Sequence, residues 1–299
     1  KYFEELGHDV KMISPRQSQE EKHDTKIVLY NYPKMPNFLG HYLVSQIICS
    51  FRAFKKIDRD SDIIIAQGLT GLYLVFQKDM LRKLYVAPHG LEMLQPSFSI
   101  KEKIEKIPIR ILMLSLLKRA ENIAVLNLCF KEMLSLHNKN YLVLSNGIEK
   151  SWINESKKIR EKPIKFLFVG RDEPRKGLDI LLESVIHLGN YNFELIVVGP
   201  EKLGEFNIGC IRVSYRGLIN DEDLMKNLYD EASFFILPSL SEGEPTVLYE
   251  AMSRGLPILA SDVGAITSMP IEDFGWRLLP SSETSIAGSI KAALNISMA

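Results

Sequence analysis

The sequence predicts an α/β protein made of two doubly wound, mostly parallel sheets facing each other across a cleft. Three observations carry this. Runs such as Ile63-Ile-Ile-Ala66, Phe193-Glu-Leu-Ile-Val-Val198 and Ser233-Phe-Phe-Ile-Leu-Pro238 are short and nearly continuously apolar, the pattern of strands covered on both faces. They alternate with stretches of helical apolar spacing, as βα units do. The length of 299 residues favours two domains, and the apolar period lapses into charge between Ile148 and Lys162. The boundary is expected near 158, dividing the chain into units 1–158 and 159–299.

In the first unit, Lys1-Tyr-Phe-Glu-Glu-Leu-Gly-His-Asp9 reads as the end of a helix leading into the strand Val10-Lys-Met-Ile13. The strand and Gly-rich loop that would precede it are expected to be missing from the recorded sequence. Residues 26–31 form a strand, and Leu43, Ile47, Ile48 and Phe51 mark a helix over about 39–56. Ile63–Ala66 is a buried strand, with Gln67-Gly68 opening a helix to about Arg82. Leu84-Tyr-Val-Ala87 ends in Pro88-His89-Gly90, which sets an imidazole at the carboxyl end of a strand, where open α/β sheets keep their ligands. A helix from Lys101 to Arg119, the strand Asn122–Leu126, a helix capped by Asn127 and the strand Tyr141–Leu144 complete the unit.

The second unit opens with Ile164-Lys-Phe-Leu-Phe-Val169 and a helix through Leu178, Leu181, Leu182 and Val185. Strands at 193–198 and 210–215 follow, then a helix over 221–229 and the strand at 233–238. Pro245 suits a first helical turn, Val247, Leu248, Ala251 and Met252 form an apolar face, and Gly255 closes that helix before the strand Pro257-Ile-Leu-Ala260. A strand at 276–279 and a helix to about Asn295 finish the chain.

Lys plus Arg and Asp plus Glu each number 37, so no global field favours nucleic acid, and any anion must be met locally. Cys49, Cys129 and Cys210 show no metal or disulfide spacing, as in a cytoplasmic protein with reduced thiols. No window of apolar residues is long enough to span a bilayer. The amphipathic stretch Ile104 to Lys118 suits a core-facing helix with solvated lysines or, as the rarer reading, peripheral contact with a membrane. Asp58-Arg-Asp60 and Asp60-Ser-Asp62 match a metal-binding D-x-D pattern but precede a strand rather than follow one, so they read as a charged turn and no metal is expected.

Two loops carry the candidate chemistry. Gly170-Arg171-Asp-Glu-Pro-Arg175-Lys176-Gly177 follows the first strand of the second unit, and Ser239-Leu-Ser-Glu242-Gly243-Glu244-Pro245-Thr246-Val247 precedes a helix on the same sheet edge. Arg171 and Lys176 beside a helix N-terminus suit a diphosphate without a metal. Charged loops are common on surfaces, and an E-x7-E spacing arises readily by chance. Glu250, however, lies inside an otherwise apolar helix, where a carboxylate needs a hydrogen-bonding partner.

The ordered set Val169-Gly-Arg-Asp-Glu-Pro-Arg-Lys-Gly177, Leu237-Pro-Ser-Leu-Ser-Glu-Gly-Glu-Pro-Thr-Val-Leu-Tyr-Glu-Ala-Met-Ser-Arg-Gly-Leu-Pro257 and Ala260-Ser-Asp-Val-Gly264 resembles the retaining, GT-B-fold glycosyltransferases of family 4. The resemblance extends through Gly217-Leu218 and, more weakly, Pro88-His89-Gly90 and Ser145-Asn-Gly147. It implies a metal-independent hexosyltransferase that moves a sugar from a nucleotide-diphosphate sugar to a glycan, lipid or small-molecule acceptor, with no further cofactor. It also implies roles. Arg171 and Lys176 would hold the diphosphate, Glu242 would face the donor sugar, and Glu250 would bind the ribose. Gly170 and the Gly243, Glu244, Pro245, Thr246 and Val247 segment would meet the donor, Gly217 and Leu218 would frame the base, and His89 would approach from the first unit. Three departures are the opening loop and the segment beyond the final helix, both expected to be missing from the recorded sequence, and Asn127, which stands where the family often has Ser and is an equivalent N-cap. Competing expectations are a nucleotide-sugar-binding protein without turnover and a sugar-nucleotide isomerase of the same architecture.

Overall fold

The computed structural model describes residues 2–15, 26–33, 40–88, 97, 99–128, 130, 134, 139–154, 162–273, 275–278 and 283–298. His89, Gly90, Cys129 and most of the stretch after Asn127 lie outside the described residues. The chain forms two compact units, Lys1–Leu144 and Ser145–Ala299.

The first unit contains α1 (Tyr2–Glu5), β1 (Lys11–Pro15), β2 (Lys26–Tyr30), α2 (His41–Phe54), β3 (Ile64–Gln67), β4 (Leu84–Ala87), α3 (Ile100–Arg119), β5 (Asn122–Val125) and β6 (Asn140–Val143). β1 and β2 pair in parallel, and β3-β4-β5-β6 form a parallel sheet in chain order. Its centre is apolar: Leu84, Val86, Ile123 and Val125 on the strands and Leu116 and Leu117 on α3 are buried. Ser99 starts α3, its hydroxyl accepting from the Glu102 N–H at 3.1 Å.

One expectation fails here. Residues 67–82 do not form a helix but two 3₁₀ turns, Gly68–Gly71 and Leu74–Phe76. Helical spacing was present, but Gly68 and Gly71 lower helix propensity by about 1 kcal/mol each, and Gly68 turns the chain at φ 57°.

The second unit contains β7 (Ile164–Val169), α4 (Leu178–Ile186), β8 (Phe193–Val198), β9 (Leu203–Ile208), β10 (Ile211–Gly217), α5 (Glu222–Glu231), β11 (Phe234–Leu237), α6 (Thr246–Ser253), β12 (Ile258–Ser261), β13 (Gly275–Leu278) and α7 (Glu283–Met298). The sheet runs β13-β12-β11-β7-β8-β10-β9, parallel throughout except for the β9–β10 hairpin. Every residue of β8, β11 and β12 is buried, which explains their nearly continuous apolar runs. Phe166 stacks on Phe234 and meets Phe193 edge-on, with centroids 5.2 and 5.3 Å apart. Such ring pairs add about 1 kcal/mol each beyond their buried area.

The division falls at Leu144/Ser145, earlier than 158. The charged segment looked like a free connection because it lacks apolar period, yet its first part is held by hydrogen bonds to the second unit. Asn154 N–H donates to the Ser253 carbonyl at 2.8 Å. Arg254 pairs with Asp230 and donates to the Trp152 carbonyl at 3.2 Å.

Candidate functional site

In the seven-stranded sheet, β8 and β10 lie on one side of β7, while β11, β12 and β13 lie on the other. The chain therefore winds in opposite directions from the β7–β11 pair, and the loops leaving the carboxyl ends of these two strands part around a crevice. Open α/β sheets bind ligands at such a switch point. The two loops are Gly170–Gly177 and Pro238–Pro245, the two singled out by sequence.

Backbone contact locks them together. Leu240 N–H donates to the Arg175 carbonyl at 2.7 Å. Gly177, at φ 70°, lies so close to Pro238 that a Cβ would fall 2.1 Å from its carbonyl oxygen. The loop after β12 closes in similarly: at Gly264, φ 56°, a Cβ would fall 2.0 Å from the backbone carbonyl oxygen of Glu242. Only glycine fits both the left-handed backbone and the close approach.

Within this frame Lys176 Nζ lies 2.6 Å from Glu242 Oε1, and both residues are buried, at 9% and 6% exposure. The Ser239 hydroxyl donates to the same oxygen at 2.6 Å, and an Arg175 nitrogen stands 3.4 Å from Oε2. Glu173 then bridges two arginines, 2.6 Å from Arg175 Nε and 3.1 Å from the exposed Arg171. The result is a chain of alternating charge from a buried carboxylate to a solvent-exposed guanidinium. The carboxylate that the resemblance aims at a donor sugar is thus already held by Lys176, Arg175 and Ser239. Burial is tolerated because every charge in the pair has a partner.

α6 begins at Thr246. Pro245 is extended at φ −72°, ψ 117° and stands before the first turn rather than within it, because the chain is still leaving the loop. No side chain caps this helix start, Gly243 is buried against it, and Thr246 is exposed. Its first-turn amides suit an anion. Glu244 is engaged within the unit. Its carboxylate accepts from the Asn146 N–H at 2.9 Å and the Tyr249 hydroxyl at 2.8 Å, and its carbonyl accepts from Asn146 Nδ2 at 2.9 Å. Burial and that carboxylate push the Tyr249 phenol well up. The carboxylate anchors the start of the second unit to the loop.

Glu250 takes the hydroxyl of Tyr229 at 2.7 Å. Burial raises its pKa, while that hydrogen bond pulls in the opposite direction. Tyr229 is fully buried, and burial above all, with the Glu250 charge added, pushes its phenol up. Gly170 continues β7, its N–H donating to the Val198 carbonyl at 3.0 Å. Gly217 ends β10 at an irregularity in register, and Leu218 after it is 62% exposed, leaving apolar surface beside the crevice. His89 lies outside the described residues. Sequence reasoning passed over Ser239, Arg175, Tyr229, Tyr249 and Asn146 as site residues. A hydroxyl three positions before Glu242 and a tyrosine in the helix ahead of β11 were visible, but not their targets.

The D-x-D stretch is a turn: the Asp58 carboxylate accepts the Asp60 N–H at 3.1 Å. Among the described residues no group of three His, Cys, Asp or Glu side chains could hold a metal ion.

Residues 149–297 match the model of the family described as glycosyl transferases group 1. The chain is 26% identical over 279 residues to the uncharacterized glycosyltransferase MJ1178 of Methanocaldococcus jannaschii, an alignment covering 87% of this chain and 73% of that one. Alignments to further curated relatives span 25–36% of their length. Among solved structures, sucrose-phosphate synthase from Thermosynechococcus elongatus superposes with a TM-score of 0.79 at 18% identity, covering 99% of this chain and 82% of that one. Anabaena Alr3699/HepE, solved in complex with UDP, gives 0.63 at 13% identity, covering 95% and 90%. Residues 149–297, within the second unit, thus match the glycosyl transferases group 1 model, and the chain as a whole is similar to a glycosyltransferase in sequence and to GT-B structures in fold.

Proposed function

We propose that the chain transfers a sugar from a nucleotide-diphosphate donor to an acceptor, with retention at the anomeric carbon and without a metal. The observation that carries this reading is the convergence, at one switch point, of Arg171, Lys176 and the uncapped start of α6. These supply cations and oriented amides where a diphosphate leaving group gathers charge. Lys176 has donors beyond the one given to Glu242. Glu242, clamped by Ser239 and Arg175, fixes the ammonium in place rather than reacting. Arg171, exposed and paired with Glu173 at 3.1 Å, exchanges that partner for the outer phosphate.

Glu250 takes the ribose hydroxyls, and the surface around Gly217 and Leu218 receives the base. The sugar–phosphate bond breaks toward the diphosphate, the acceptor oxygen attacks the same face, and the acceptor proton passes to the departing phosphate oxygen. No protein nucleophile enters this scheme. That Anabaena HepE was solved with UDP supports a nucleoside diphosphate as the ligand class.

The test is the thermal stability of the chain against UDP, GDP and ADP in the presence of EDTA, for wild type, Glu250→Ala and Lys176→Ala, each against its own ligand-free baseline. Ligand at about 100 times its dissociation constant adds about 2.7 kcal/mol. One nucleotide should stabilise the wild type and neither variant. Stabilisation that needs a divalent metal, or that survives both substitutions, overturns the assignment.

A further inference from the structure

The first unit carries a feature that sugar transfer does not use. On α3, Ile100, Ile104, Ile107 and Ile111 are 80%, 49%, 54% and 59% exposed. At 3.6 residues per turn they fall within about 60° of one another, a line about 16 Å long. The residues of α3 that face the core, Met113, Leu116 and Leu117, lie on roughly the opposite side. The apolar line therefore points away from the core of the first unit.

Charge is arranged around it. α3 holds Lys101, Lys103, Lys106, Arg110, Lys118 and Arg119 against only Glu102 and Glu105, a net charge of +4 in a chain whose total is zero. Exposed Lys103 and Arg110 border one side of the isoleucine line, and exposed Lys101 and Arg119 border the other. Both glutamates sit toward the core side, and Glu102 is taken by Lys106 at 2.5 Å. Phe76, 60% exposed, lies beneath the Arg119 guanidinium at 5.2 Å and adds ring surface near the end of the helix.

An apolar stripe fringed on both sides by long cationic side chains matches a helix lying in the headgroup layer, with aliphatic tips below and ammonium groups at phosphate level. A second copy of the same helix would bring cationic borders against cationic borders. We infer that the outer face of α3 docks on an anionic lipid surface. Among the described residues no helix is long and apolar enough to cross a membrane, so the contact is peripheral. This inference is independent of the donor site.

The experiment is co-sedimentation of the full chain with vesicles of phosphatidylcholine alone and of phosphatidylcholine mixed with phosphatidylglycerol, at low and high salt. The chain should pellet with the mixed vesicles, remain free with the neutral ones, and be released by salt. Lys103→Gln with Arg110→Gln should weaken binding about 25-fold, about five-fold for each cation removed. Ile104→Ser with Ile107→Ser should weaken it at least about ten-fold, with an unchanged melting temperature because both side chains are exposed. The inference fails if wild type stays in the supernatant with mixed vesicles, or if both double variants bind as wild type does. It also fails if the chain self-associates through this face, seen as a dimer that Ile104→Ser with Ile107→Ser dissolves while vesicles go unbound.

Discussion

Glu242 and Glu250 share one segment, on either side of the start of α6, and the protein treats them in opposite ways. Glu242 is almost sealed from solvent, yet two cations and a hydroxyl surround it. Glu250 is less deeply placed and takes the hydroxyl of Tyr229; burial raises its pKa, and that hydrogen bond opposes the rise. Depth alone does not decide how a carboxylate is partnered. The first glutamate reads as part of the scaffold that holds Lys176. The second keeps acceptor capacity beyond the oxygen that Tyr229 uses, which is what the proposed ribose contact requires.

The contrast is broken most severely at the first position. Glu242→Ala leaves the Lys176 ammonium buried without its counter-ion and should cost about 3–5 kcal/mol in urea denaturation. Replacing both partners, Lys176→Met with Glu242→Leu, should recover most of that loss. A double variant as unstable as the single would mean that the carboxylate matters through packing rather than charge.

A smaller effect is expected at the anchor. Asn146→Ala removes the Nδ2 hydrogen bond to the Glu244 carbonyl but keeps the backbone N–H to its carboxylate, and should cost about 1 kcal/mol by the same measurement. Amide exchange at Thr246 and Val247 should quicken with it, since Glu244 holds the approach to α6.

The smallest effect belongs to Glu250. Because its pKa is raised in the folded state, its stabilising share is fully present below the ordinary carboxylate pKa and is lost as pH rises through the raised value. Glu250→Gln should remove that slope, so the variant gains stability relative to wild type as pH climbs, in melting curves collected across the acid range. The same change should abolish nucleotide stabilisation. A variant that loses stability at neutral pH instead would place Glu250 with Glu242 as a structural group.

Much of the second unit was legible because its strands are buried on both faces and advertise it. β7, β8, β11 and β12 lie where the continuous apolar runs are. β9 escaped notice: Leu203-Gly-Glu-Phe-Asn-Ile208 is an edge strand, exposed along nearly all its length, and has no apolar face to display. Residues 67–82 misled in the other direction, since apolar spacing persists there while glycines break the helix. The two site loops were recognisable from residue type and their position after strands. The Lys176–Glu242 pair was not, because sixty-six residues separate the partners and only the sheet order brings them together. Nor does spacing distinguish a glutamate with two cations from one with a tyrosine.

The close backbone approach at Gly177 and Gly264 bears on how such a site changes over time. Any side chain at either position would push a carbonyl aside, so the frame of the crevice has almost no room to drift. Variation is instead free at residues that face outward from that frame, among them Leu218 and Thr246. A scaffold built this way lets the chemistry lining the crevice be altered by single side chains while the loops that frame it stay in place, and redesign would begin at those exposed positions.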